Sequence, residues 1–182
     1  MGVFLNAKDQ KLLDFLARND HFTPFTHCMI TMREKVPLFV ARQRFKHTIG
    51  FSYNEISRRY VDDLPEFYIP TEWRKKADDR KQGSSEETVD INPYNLMIDD
   101  YLQSINKAKW TYIHLLGMDV CPEQARMVLP QSTYTEYYVT GSLYAWARAY
   151  NLRSEFTAQQ EIQDLASQWH DIILPLFPES WI

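Results

Sequence analysis

Cysteine is scarce in this 182-residue chain: Cys28 and Cys121 stand far apart, with no C-x-x-C pair and no disulfide framework. A reducing cytoplasm is the expected setting. There is no H-E-x-x-H motif and no Cys/His cluster, so no metal site is expected. No G-x-S-x-G elbow surrounds any serine, which removes the serine-hydrolase reading. The opening residues MGVFLNAKDQ lack a basic start followed by an apolar run, so a signal peptide is not expected. No apolar run approaches the roughly 18 residues of a membrane span, and no membrane partner is expected. Internal repeats and low-complexity tracts are absent.

The length fits one domain, residues 1–182. Net charge is only -4, which argues against a dedicated nucleic-acid binder. The charge is unevenly spread, however. Arg33 to Arg59 is basic, while Asp78 to Asp100 leans acidic. A local cationic patch in an acidic chain suits a small anionic ligand better than a long polyanion.

Apolar periodicity predicts a helix over Lys8 to Arg18 and a half-buried strand over Cys28 to Val36. Thr23-Pro24 has the form of an N-cap followed by Pro at the first helical position. Pro37 to Lys46 predicts a helix with Leu38, Val40, Ala41 and Phe45 on its apolar side. Gly50 and Ser52-Tyr53-Asn54 predict a loop, Glu66 to Ile69 a short strand, and Trp73 to Asp90 a surface loop. The longest helix is expected from Asn92-Pro93 to Leu116, with Gly117 as its cap. Further helices are expected over Pro122 to Val128, Leu143 to Leu152 and Thr157 to Leu174, the last opened by a Thr157/Gln160 capping box. Gln131 to Val139 alternates as a strand. Long helices with few, non-consecutive strands predict an α+β fold.

The most informative stretch is Phe39 to Tyr60, FVARQRFKHTIGFSYNEISRRY. Its cations Arg42, Arg44, Lys46, Arg58 and Arg59 fit either a solvated face or an anion grip. Interleaved Gln43, Asn54, Glu55 and Ser57 add the donors and acceptors that a phosphate monoester and a pyrimidine edge require. His47, at a helix end, is a candidate site residue, while His114 and His170 lie in amphipathic helices and have the look of structural residues. Ser57 suits a ligand hydrogen bond better than nucleophilic attack. Cys121 has no neighbour that would activate its thiol.

This stretch resembles the signature of the flavin-dependent thymidylate synthases, R-Q-x-x-R-H-R followed by S-x-N-E-x-S-x-R-Y. Here it is Arg42-Gln43-Arg44-Phe45-Lys46-His47-Thr48, then Ser52 to Tyr60. His21 to His27 is similar to the family's H-x-T-P-F-x-H turn. Glu123 to Pro130 is similar to E-x-A-R-x-x-L-P, and Leu152 to Ile162 to L-R-x(4)-A-Q-x-E-I. The matches run in the family's order over nearly the whole chain.

The resemblance implies an α+β fold around a twisted, mostly antiparallel sheet, and a homotetramer with active sites shared between subunits. It implies conversion of deoxyuridylate (dUMP) to thymidylate, with FAD, NADPH as reductant and methylene-tetrahydrofolate as carbon donor. Gln43, Glu55, Ser57, Arg58, Arg59, Arg126 and Arg153 would hold dUMP. Arg59 and Arg126 suit its phosphate. Arg153 would face a uracil carbonyl, and Arg153, Ser57 and Glu55 form the catalytic set. His21, Thr23, Lys46, His47, Glu55, Ser142 and Arg148 would contact FAD. The chain departs from the pattern at Lys46-His47-Thr48, where the family has Arg-His-Arg. The spacer from Thr48 to Ser57 is one residue longer, and Ser142 stands where many members have Asn. Family members carry several tens of residues before the first helix, so a shortened front wall is expected here. Two competing readings are a dUMP-binding relative that has lost flavin and a nucleic-acid module stacking bases on Phe45, Phe51 and Tyr53.

Overall fold

A computed structural model of the chain describes residues 5–61, 63–77, 83–90 and 97–181. It is α+β. Helix α1 (Ala7–Arg18) opens on a capping box: the Asn6 side chain accepts from the Lys8 and Asp9 amides, and Asp9 accepts from the Asn6 amide at 3.1 Å. A 3₁₀ turn, Thr23–Thr26, follows. Its N-cap is Phe22 and no side chain caps it, so Thr23 is the first residue of the turn and not the expected cap. Then come β1 (Met29–Pro37), α2 (Leu38–Arg44), β2 (Phe51–Glu55), β3 (Arg74–Lys76) and β4 (Ser84–Thr88). The remaining elements are α3 (Met97–Gly117), α4 (Pro122–Ala125) with a 3₁₀ extension Arg126–Val128, β5 (Tyr134–Ser142), α5 (Leu143–Arg153) and α6 (Gln160–Ile173).

One sheet has the order β1-β5-β2. Both pairings are antiparallel. Leu143 N–H donates to Cys28 at one end of β1 and Leu38 N–H donates to Thr133 at the other. Ser142 N–H donates to Gly50, and Ile56 N–H to Glu136, in the same reversed sense for β2. Strands β3 and β4 form a separate antiparallel pair with Arg74 opposite Thr88 and Lys76 opposite Ser84.

Several expectations need correction. The expected loop at Ser52-Tyr53-Asn54 is strand β2. Phe51 and Tyr53 are half-buried while Ser52 and Asn54 are exposed, so the alternation was present but masked by turn-forming residue types. The expected Trp73 to Asp90 loop contains β3 and β4, whose polar faces give no hydrophobic period. Lys75 bonding Glu87 at 2.8 Å and Arg74 bonding Ser84 at 2.9 Å support the pairing instead. Glu66 to Ile69 makes only a single antiparallel bridge, Phe67 with Thr133. Strand β5 starts at Tyr134, because Thr133 N–H is turned back onto Pro130 at 3.0 Å. Helix α6 starts at Gln160 with no side-chain cap, so the Thr157 capping box does not form. Gly117 ends α3 but does not cap it. Asp119, at φ 60, takes the left-handed position, with Val120 N–H bonding Leu115 and Asp119 N–H bonding Leu116. The start of the longest helix, placed at Asn92, lies outside the described residues.

The chain divides into two compact units that interleave in sequence. The first comprises Met1–Met32, Arg44–Tyr53 and Tyr138–Ile182. Its core is α5 against α6, with Trp146, Trp169, Ile162, Ala166 and Ile173 buried. The rings of Trp146 and Trp169 meet edge-on at 5.4 Å, and Trp146 Nε1 donates to the Ile30 carbonyl at 3.2 Å. Gly141 sits against the Phe51 ring, and a Cβ there would fall inside van der Waals contact. The second unit comprises Arg33–Gln43 and Asn54–Tyr137. Val36, Val40, Ala41, Ile105, Tyr112 and Ala125 are buried in it, and the buried Glu34 carboxylate accepts from Tyr137 Oη at 2.6 Å.

Candidate functional site

In the second unit, the end of β2 and the chain after it carry Glu55, Ser57, Arg58 and Arg59. Glu55 Oε1 accepts from Thr135 Oγ1 of β5 at 2.6 Å, which fixes the carboxylate on the sheet. Ser57 Oγ accepts from the Arg59 amide at 3.3 Å, a local turn that holds the hydroxyl. Arg58 donates to the Asp63 carbonyl at 2.9 Å. Arg126, carried by the 3₁₀ extension of α4, donates Nε to the Glu123 carbonyl at 3.3 Å.

Glu55, Ser57, Arg58 and Arg126 line one cavity of about 160 Å³, with Leu38, Thr133, Tyr134 and Thr135 among its walls. Two guanidinium groups, one carboxylate and several hydroxyls over an apolar floor can grip an anion and orient a polar ring. Arg59 does not line this cavity. Its Nε and Nη2 both reach Glu123 Oε2, at 3.1 and 2.9 Å, in an exposed ion pair. Such a pair contributes only about 0–1 kcal/mol, so a phosphate could displace the carboxylate at small cost. Gln43, half-buried on α2, belongs to the same unit but not to the cavity wall.

In the first unit, α5 places Arg148 and Arg153 one turn and a half apart, and the end of α2 leads to Lys46 and His47. Arg153 donates Nε to His47 Nε2 at 2.8 Å. Arginine has no acceptor, so Nε2 of the imidazole must be bare and Nδ1 carries the ring proton. Burial, and then the charges of Arg153, Arg44 and Arg148, lower the His47 pKa to about 4. Burial and Arg44 also lower that of Arg153. His47 is therefore a neutral acceptor near pH 7.

Arg148 lines a larger cavity of about 500 Å³, with Leu16, Phe22, Leu143, Tyr144 and Leu152. Apolar and aromatic walls, with Arg148 and Asp20 as the charged groups, suit a planar ring system with polar substituents. Ser142 caps α5, its Oγ accepting from the Ala145 amide at 3.2 Å, and is buried. His21, Thr23 and Lys46 are exposed, with His21 near the Phe15 ring.

Arg44 is the residue that the sequence misjudged. It fits neither a solvated face nor a surface anion grip, because it is fully buried. Thr135 was legible only as a strand residue. Nothing in the sequence marks its bond to Glu55, which depends on β5 lying beside β2.

Comparison with known proteins adds independent findings. A family model described as thymidylate synthase complementing protein matches residues 4–179. The chain is 40% identical over 166 residues to a flavin-dependent thymidylate synthase of Thermosipho africanus, covering 91% of this chain and 72% of that one. It is 35% identical over 179 residues to that of Treponema denticola, covering 97% and 67%. Among solved structures it is similar to a UMP/dUMP methylase, PolB from Streptomyces cacaoi, bound with 5-Br dUMP. The TM-score is 0.86 at 26% identity, covering 98% of this chain and 80% of that one.

Proposed function

The chain belongs to the thymidylate synthase complementing protein family, the flavin-dependent thymidylate synthases, and from that premise we propose how its residues serve the reaction. It is a flavin-dependent methyltransferase that converts dUMP to thymidylate; a flavin-free dUMP binder and a nucleic-acid module are not favoured. The observation that carries the substrate assignment is the shared cavity of Glu55, Ser57, Arg58 and Arg126. The whole chain, 1–182, acts as one synthase domain, because it passes repeatedly between the two units and neither is a contiguous piece.

Arg126 and Arg58 hold the phosphate, with Arg59 joining them once it exchanges Glu123 for the ligand. Glu55 and Ser57 fix the nucleoside by hydrogen bonds, and Gln43 adds an amide partner. Arg153, oriented by His47, places positive charge at a uracil carbonyl as C5 becomes nucleophilic. No enzyme nucleophile is needed, because the cofactor carries the difficult chemistry and the protein positions it. The approximately 500 Å³ cavity beside Arg148 fits part of FAD. The family resemblance adds His21, Thr23, Lys46, His47 and Ser142 as further contacts. Reduced flavin supplies the hydride that completes the methyl group. The carbon comes from methylene-tetrahydrofolate, and NADPH is the reductant. The enzyme works in a reducing cytoplasm. No described helix is long and apolar enough to cross a membrane.

Single-turnover assays with prereduced flavin, methylene-tetrahydrofolate and dUMP test the reading. Thymidylate should form without any covalent adduct to Cys28, Cys121 or Ser57. Ser57→Ala should slow turnover by misplacing the ring. Arg153→Ala should slow it more, by about 3 kcal/mol in the barrier. A dead Ser57→Ala beside a normal Arg153→Ala would refute this division of roles.

A further inference from the structure

The signature pattern R-Q-x-x-R-H-R leaves the position of Arg44 unspecified, yet this arginine is among the most deeply buried side chains described. Its guanidinium carbon lies 4.3 Å from the Phe51 ring centroid, 4.8 Å from Trp146, 4.7 Å from Trp169 and 5.2 Å from Tyr53. Four aromatic rings thus surround one cation, an arrangement that holds a guanidinium better than it would an aliphatic chain. Such burial makes the group rigid, since any rotation would cost it those faces.

One edge of that guanidinium is directed. Nη1 donates to Tyr53 Oη at 2.6 Å. The Tyr53 hydroxyl in turn donates to the His47 carbonyl at 2.7 Å, the shorter of its two carbonyl contacts, the other being Arg44 at 3.2 Å. The His47 amide donates back to the Arg44 carbonyl at 3.1 Å. His47 is therefore tied at its amide by the Arg44 backbone and at its carbonyl by Tyr53. Its ring nitrogen then accepts from Arg153.

We propose that Arg44 is a positioning residue: caged by Phe51, Trp146 and Trp169, it fixes His47 through Tyr53 and so aims the Arg153 guanidinium at the substrate. The inference rests on the synthase reading for what Arg153 then does, and on geometry alone for the chain from Arg44 to Arg153.

Electrostatics act in the same direction. The charged groups facing His47 are Arg153 and Arg148 from α5 and Arg44 from α2. All three disfavour imidazolium, and a protonated Nε2 could not accept from Arg153. Arg44 therefore has two separable effects, a charge that adds to burial and Arg153 in keeping His47 neutral and a donor that orders Tyr53.

Three variants separate them: Arg44→Met, Arg44→Lys and Tyr53→Phe. The His47 imidazole is titrated by NMR in the ligand-free protein, and kcat and KM for dUMP are measured in parallel. Arg44→Met should raise the His47 midpoint above the parent's without restoring its ordinary value, because burial and Arg153 still lower it. It should also lower kcat about tenfold with little change in KM, as expected when a transition-state contact is misaligned. Arg44→Lys should restore the low midpoint but only part of kcat. Tyr53→Phe should keep the low midpoint and still lose kcat. A folded Arg44→Met with the parent's His47 midpoint and kcat would reduce Arg44 to packing and overturn the proposal. If Arg44→Met does not fold, the outcome rests on Tyr53→Phe, and an unchanged kcat there overturns it. Should the parent itself make no thymidylate, the synthase reading fails. The titration then still decides the proposal: Arg44→Met should raise the midpoint while Arg44→Lys keeps it low, and a folded Arg44→Met with the parent's midpoint counts against it.

Discussion

At the scale of single residues, the protonation of His47 has a consequence for stability. Its folded-state pKa, about 4, lies below its ordinary 6.5. Between those values the unfolded chain binds more protons than the folded one, so stability falls as pH drops from 6.5 to 4 and is fully retained above 6.5. His47 is half-exposed, and after solvent screening the loss should be about 1–2 kcal/mol. Urea titrations at pH 7 and pH 4.5 check this, with His47→Gln expected to remove much of the difference. A second prediction concerns Arg126. Arg126→Ala should weaken dUMP binding by about 1.5–3 kcal/mol, the range for a hydrogen bond to a charged group, with the fold intact. Isothermal titration giving the parent's Kd would remove Arg126 from the phosphate site. Both residues were marked by sequence. Arg126 stood in an E-x-A-R-x-x-L-P stretch and His47 beside Lys46. What was not legible is that Arg59, placed by the S-x-N-E-x-S-x-R-Y pattern, already holds Glu123. An ion pair between residues far apart in sequence leaves no local mark.

At the scale of elements, the start of α5 joins two roles at one residue. Ser142 ends β5, caps α5 and stands where the resemblance expects a flavin contact. Ser142→Ala should cost about 1 kcal/mol through loss of the cap. Ser142→Asn should be nearly neutral for stability, because Asn caps as well as Ser. Thermal melts of the two variants, followed by flavin absorbance of each, separate the cap from the cofactor contact. A Ser142→Ala protein as stable as the parent would show that the cap carries no weight. Helices with an apolar face were read from sequence, as α1 and α6 demonstrate, because a 3.6-residue period survives substitution of surface residues. Strands β2, β3 and β4 were not. One or two half-buried positions per strand cannot outweigh Ser, Asn and Gly in a local reading, and the partner strand supplies the rest of the pairing energy.

At the scale of the whole molecule, assembly is the open consequence. The cavity holding Glu55, Ser57, Arg58 and Arg126 is about 160 Å³. That is about half the lower bound usual for a ligand the size of a nucleotide, so walls from another copy of the chain are a natural completion. Exposed apolar side chains are available to bury in such contacts, with Met127 76% and Trp110 57% accessible. We propose a homotetramer with sites shared between subunits. Light scattering should give four times the mass of the chain, and a stable monomer that binds FAD and dUMP tightly would contradict the model.

By itself the sequence determined the chemistry available and the family that uses it. Runs such as Gln43 to His47 and Asn54 to Tyr60 are local in the chain, and a family signature made of neighbouring residues leaves a contiguous trace. It also determined the α+β class, since helical periods and alternation are local properties. Tertiary structure alone decided which of the cations line a cavity. Arg44 and Arg58 look alike in sequence, but one is enclosed by Phe51, Trp146 and Trp169 while the other lines a cavity. The difference is made by rings drawn from β2, α5 and α6, more than a hundred residues apart at the extremes, and only long-range packing brings them around one guanidinium.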